Sequence, residues 1–231
     1  RPGMRAAARL GSWLGALCLG GLAAADDQRP QLAGLAAAIP LRGAVGTRGL
    51  PVLGVSCAGL RAGEETEAAL RAALSQGYRM IDVDAAEGNE ESVGQALRIS
   101  CVPRSEVFLV SRLADSDHGH REALKAVRRT LRRLRVDYID MVVQTDTRFI
   151  ETWDALVELR MMGLARSVGV SAFDLRHLEA LAAHGRELPS VNRLEVNPLN
   201  WHARRQLVEW CQTQGVVVQA VGTLRTLSSA R

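Results

Sequence analysis

Two carboxylates sit where a buried strand gives way to a helix. Asp82 lies in the apolar run Arg79–Val83, and Glu87 follows five residues later in a polar loop, ahead of a helix predicted over Glu90–Ile99. A carboxyl group in such a place can accept or donate a proton, and burial and neighbouring charge decide which. A nearby cation holds Glu87 ionised and unable to donate. Burial pushes the other way and would make it an acid. Other reactive side chains give weaker signals. His118 and His120 form a His-Gly-His, but no cysteine or carboxylate constellation joins them, so solvent exposure is expected and a metal is not. Asp115 and Asp117 read as helix-start residues. Cys57, Cys101 and Cys211 lie in apolar contexts without a disulfide framework and read as buried thiols. Trp201 and Trp210 bracket a helix and read as packing residues.

The elements that must position these groups alternate regularly. Strands are predicted over 51–56, 79–83, 107–111, 138–143, 165–170, 191–196 and 216–221. Amphipathic helices are predicted over 64–76, 90–99, 120–134, 150–161, 175–183 and 203–214. Continuous Val/Ile/Leu strands separated by such helices mean a parallel sheet buried on both faces. No Gly-x-Gly-x-x-Gly follows the first strand, which weighs against a dinucleotide-binding doubly wound sheet. Seven evenly spaced units favour a TIM-type (β/α)8 barrel. Such a barrel needs about 250 residues. The chain stops just past the seventh strand, so the barrel is expected to be incomplete, with the eighth unit missing. Two open strand edges would follow, and a protein partner could cover them.

Composition is ordinary for a globular chain of 231 residues with net charge +4. Of 29 basic residues, Lys125 is the one lysine. The run Arg128–Arg135 keeps leucines at helical spacing and reads as a solvated helix face, so no nucleic-acid partner is expected. Residues 4–25 have the form of a signal peptide: a basic start, an apolar stretch Leu10–Leu22, and small residues at Ala23–Ala25. That stretch is short for a membrane span, so no stable span is expected once it is removed. The reading is a secretory-pathway protein, or an organelle reached through that pathway, with a cytoplasmic protein as the alternative. Residues 26–49 form a loose segment, and 50–231 the barrel domain.

The stretch Gly77–Leu97 closely resembles the signature of the aldo-keto reductases, and further segments extend the likeness from about Leu50 to Leu224. Ser105–Leu113 resembles the family's third strand, Asp137–Thr145 the fourth, Arg166–Phe173 the fifth and Val191–Pro198 the sixth. In that family a hydride passes from a nicotinamide cofactor to a carbonyl carbon. A tyrosine, acidified by a lysine and oriented by a histidine, protonates the oxygen, and an aspartate pairs with the lysine. By this resemblance the aspartate is Asp82, the tyrosine position Glu87, the lysine position Arg112 and the histidine position Thr145. Arg112 would pair with Asp82 in the lysine's stead. The only tyrosines, Tyr78 and Tyr138, fall at packing positions, and Lys125 falls on an outer helix.

On the cofactor side the resemblance leaves Ser171, with Ala172 at an asparagine position, Arg193 at a glutamine position and Val221 where a tyrosine stacks on the nicotinamide. It implies NADP as cofactor, a small-molecule carbonyl substrate, and an oxidoreductase that reduces carbonyls to alcohols. The replaced positions imply altered activity. The alternative is a catalytically inactive barrel serving as a binding or scaffold subunit.

Overall fold

Short β-branched runs become staves of a barrel because each is apolar on both faces and is followed by a helix with one apolar stripe. The computed structural model describes residues 14–19, 37–47, 49–145 and 148–223. Its strands are β1 (Leu14–Leu19), β2 (Ala38–Ile39), β3 (Leu50–Pro51), β4 (Leu53–Ser56), β5 (Met80–Asp84), β6 (Phe108–Arg112), β7 (Ile139–Gln144), β8 (Ala165–Ser171), β9 (Val191–Glu195) and β10 (Val217–Val221). The helices are α1 (Glu64–Ser75), α2 (Glu90–Ile99), α3 (His120–Leu134), α4 (Phe149–Met161), α5 (Leu175–Ala183) and α6 (Trp201–Thr213). The seven expected strands are therefore present, with small shifts at their ends.

Around the barrel the order is β1-β10-β9-β8-β7-β6-β5-β4. From β4 to β10 neighbours run parallel. The eighth place is taken by β1, antiparallel to both neighbours, with Leu17 opposite Ala220 on one side and Leu53 on the other. This strand comes from the apolar stretch read as part of a signal peptide, and the rest of residues 4–25 lies outside the described residues. Among the described residues no eighth parallel β/α unit follows β10, as expected, and β1 lies in the place between β10 and β4. Within the segment expected to be loose, β2 pairs with β3 in a two-stranded ladder.

The period of two along each strand sorts the side chains. Ile81 and Val83 of β5 face the helices in the main core, whereas Met80 lies in the barrel interior with Leu50, Phe108, Val110, Met141, Val143 and Val191. Ile39 and Leu41 pack against this inner cluster. On α3, Ala123, Val127, Leu131 and Leu134 are buried while Arg128, Arg132 and Arg133 are exposed, as the leucine spacing predicts. Among the described residues no helix is long and apolar enough to cross a membrane.

Three expectations are corrected. Cys57 and Cys211 are buried, but Cys101 is exposed, because the chain turns there with φ 58° after the end of α2. Trp201 begins α6 on its outer side and is 42% exposed, while Trp210 packs on the core. Asp115 and Asp117 form a separate 3-10 turn, and Gly119 is the residue that caps α3. Tyr78 does pack on the core, and Tyr138 lies between the guanidinium groups of Arg104 and Arg166, 4.2 and 3.8 Å from its ring centre.

Candidate functional site

The candidate residues gather at the C-terminal ends of the parallel strands, where barrels of this type carry their sites. On β5 the inward positions alternate as Met80, Asp82, Asp84, so an apolar residue at the bottom gives way to two carboxylates above it. Both carboxylates find arginines, though not in the expected pairing. Asp84 stands directly opposite Arg112 in the β5–β6 register. Its Oδ2 accepts from Arg112 Nε at 3.0 Å and from Nη2 as well. Burial lowers the affinity of Arg112 for its proton, but the hydrogen bond to Asp84 and the charges of Asp84, Asp82 and Asp115 outweigh it, so the guanidinium titrates above its ordinary range.

Asp82 instead pairs with Arg193. Strands β5 and β9 are four places apart in a ring of eight, so the arginine reaches across the barrel's full width. Its Nη2 donates to Asp82 Oδ2 at 2.5 Å, and the two side chains are only 7% and 11% exposed. The contact is single. Asp82 Oδ1 and Arg193 Nε are both buried without a hydrogen-bond partner among the described residues, as is Oε1 of Gln219, the residue beside Arg193 on β10.

Glu87 closes a 3-10 turn, Ala85–Glu87, whose first residue follows the capping carboxylate of Asp84, with Asp84 Oδ1 accepting from Ala86 N at 3.0 Å. Gly88 ends the turn at φ 66°, a conformation that glycine adopts without cost. Glu87 itself is exposed, and its Oε2 accepts from the Gly59 N–H at 3.2 Å. Asn89 holds this loop to the one after β4 by donating to the carbonyls of Cys57 and Leu60 at 2.9 and 3.1 Å. Burial, and then the charges of Asp82 and Glu87, push the Cys57 thiol far above the usual range, so it stays protonated.

At the end of β7 the structure shows a histidine that was expected in solvent. His118 is 3% exposed. The Thr145 N–H donates to its Nε2 at 3.1 Å, and the Thr145 hydroxyl lies 3.0 Å from the same nitrogen. Since Nε2 accepts from an amide, the proton sits on Nδ1, which donates to the Ala114 carbonyl at 3.1 Å or that of Asp115 at 3.3 Å. An imidazole thus stands against Thr145, supplied by a loop 27 residues earlier in the chain. His120 is exposed and pairs with Glu158 at 3.0 Å. No group of three potential metal ligands occurs among the described residues.

On the far side of the mouth, Ser171 ends β8 opposite Arg193 of β9. Ala172 has φ 60°, and its N–H donates to the Arg193 carbonyl at 2.8 Å. The backbone keeps a left-handed shape that favours Asn or Gly over Ala, although the side chain is a methyl group. Val221 ends β10 half-buried.

A closed α/β barrel with charged groups on successive strand ends defines a TIM-type barrel with its site at the strands' C-terminal mouth. Residues 58–229 match the Aldo/keto reductase family, and the chain belongs to it. It is 36% identical to an aldo-keto reductase of Mycolicibacterium vanbaalenii over 180 residues, covering 76% of this chain and 63% of that one. An aldo-keto reductase of Mycobacterium sp. strain MCS is 35% identical over 196 residues, covering 83% of this chain and 68% of the other. Among solved structures, an aldo/keto reductase from Brucella melitensis superposes with TM-score 0.73 at 30% identity, covering 81% of this chain and 74% of that one. A Bombyx mori aldo-keto reductase in complex with NADP gives TM-score 0.70 at 29% identity over 80% of this chain and 66% of its own. The chain spans about three-fifths of the length of the mycolicibacterial relatives.

Proposed function

We propose that this protein is an NADP-binding barrel of the aldo-keto reductase type whose mouth admits small carbonyl compounds but does not reduce them. The observation that carries this reading is the buried Asp82–Arg193 pair. In the family pattern the aspartate's cationic partner also acidifies the proton donor. Here the partner comes from the opposite wall, and Arg112 is turned to Asp84. Glu87 is held by the Gly59 amide, and a carboxylate there would repel a developing alkoxide. The one proton of His118 is committed to backbone carbonyls.

The residues present fit part of the cofactor. A carboxamide offers one acceptor and two donors, and the barrel floor presents an unpaired donor, Arg193 Nε, and an unpaired acceptor, Asp82 Oδ1. These two residues and Ser171 would hold the nicotinamide amide. The bound cofactor would supply a hydride. The chain's own groups would orient the ring without providing a proton to the substrate oxygen.

Titration of NADPH fluorescence against the folded protein, followed by absorbance at 340 nm with a panel of aldehydes, tests both halves. Binding without aldehyde-dependent oxidation is the expected result. Turnover that Asp82→Asn abolishes would restore a working reductase. Absence of binding by a protein of native circular dichroism would favour the scaffold alternative. The basic and apolar N-terminus further supports a secretory route. Terminal-peptide mass spectrometry tests this route: a natural protein that begins at Asp26, and so lacks β1, would support it, and one that retains Met4 would refute it and keep β1 in the barrel.

A further inference from the structure

We propose a second binding site, for a multiply charged oxyanion such as an oligophosphate, in the groove on the outer wall of the barrel among α1, α2 and α3. The groove has a volume of about 560 Å³ and is lined by residues of α1, α2 and α3 and by Arg135. Five arginines line it, Arg98, Arg129, Arg132, Arg133 and Arg135, against the carboxylates Glu67 and Glu91. Arg133 and Arg129 are neutralised by Glu90 and Asp117, which leaves Arg98, Arg132 and Arg135 facing Glu67 and Glu91.

The groove is built rather than accidental. Gly94 brings α2 into backbone contact with the end of α3, since a Cβ there would lie 2.3 Å from the Leu134 carbonyl oxygen. That closeness sets the arginines of α3 beside those of α2. Two of the guanidinium groups are fixed from behind. Buried Glu90 accepts from Arg133 at 2.8 Å and from Thr130 Oγ1 at 2.5 Å, and Asp117 accepts from Arg129 at 2.6 Å. Among the described residues Arg98 is held only by the neutral Gln95, at 2.6 Å. The side chains of Arg132 and Arg135 have no ion pair or hydrogen bond among the described residues. Guanidinium groups with free donors are the chemistry that binds phosphate bidentately. The negative end of α3 takes up part of this charge, as do Glu67 and Glu91, so a single phosphate gains little. A ligand with several anionic groups can meet Arg98, Arg132 and Arg135 together.

The test is calorimetric titration of the full chain with sodium tripolyphosphate, and separately with sucrose octasulfate, at 20 and 150 mM NaCl. Binding that weakens with salt is expected, and the tighter of the two probes identifies phosphate or sulfate as the preferred anion. Arg132→Gln combined with Arg135→Asn should weaken it at least tenfold. Asparagine is chosen because residue 135 has φ 54°. Arg132→Lys alone should keep most of the affinity. Arg121→Gln with Arg128→Gln removes the same charge from exposed positions of α3 outside the groove, and should change binding less than threefold. The site is overturned if neither probe binds, or if both double variants lose affinity equally. Circular dichroism of each variant separates lost binding from lost fold.

Discussion

Arg193 and Asp82 put a full positive and a full negative charge into a barrel whose lower interior is apolar. Such a pair adds little net stability, because desolvating both ions offsets their attraction, but removing one partner leaves the other buried and unpaired. Arg193→Gln or Asp82→Asn alone should therefore cost about 3–5 kcal/mol in urea denaturation, and the double variant should recover most of that loss. The partly buried Asp84–Arg112 pair is a useful contrast: its arginine keeps more of its side chain in water, so Arg112→Gln should cost less than Arg193→Gln. A third acidic residue gives a pH signature. Burial raises the Asp140 carboxyl above its ordinary 3.8, against the opposing pull of Arg104 and the Leu109 N–H. The folded state thus holds this proton more tightly than the unfolded state does. The contribution is complete below about 3.8 and is lost as pH rises through the higher folded value. The stability of the natural protein minus that of Asp140→Asn should fall across that window, and a flat or rising difference would contradict the assignment. Of these groups, the carboxylate positions 82 and 87 were legible in the sequence, while the pairing of Asp82 was not. A residue on one strand carries no record of what reaches it from the opposite wall.

The elements were more legible than the contacts between them. Alternation of β-branched runs with amphipathic helices is a local property, and all seven parallel strands and six helices follow from it. Asp84 could have been found by the same means, since it lies two residues beyond Asp82 and must share its face. His118 could not, because a loop lodges it against Thr145 through hydrogen bonds that no spacing announces. The α2–α3 contact lies between these cases. Gly94 looks like a weakness inside a helix, where Ala is favoured by about 1 kcal/mol. In the structure it is the point at which two helices touch through their backbones. Gly94→Ala should therefore destabilise by about 1–3 kcal/mol despite its better helix propensity, because the obstructing atoms are the backbone of Leu134 and cannot swing aside. A higher urea midpoint in this variant would show that the helices can separate freely. The same variant should widen the arginine groove and weaken oligophosphate binding.

At the scale of the whole molecule, closure of the barrel depends on which segment fills the place between β10 and β4. Leu10–Leu22 carries two signals at once, since an apolar run after basic residues suits both a secretory leader and a barrel stave. Hydropathy does not separate the two, and only the pairing of Leu14–Leu19 with both edges shows the second use. The two uses exclude each other in one mature chain. If residues up to Ala25 are removed, the backbone groups of β10 and β4 that pair with β1 are left facing outward. Unpaired edges of this kind exchange their amide hydrogens quickly and recruit other strands. A chain beginning at Asp26 should thus show faster deuterium uptake at 53–56 and 217–221 than the full chain, with uptake at β6 and β7 unchanged. It should also associate as its concentration rises. Equal protection of both edges in the two chains would mean that β1 contributes nothing to closure and that some other segment holds the eighth place.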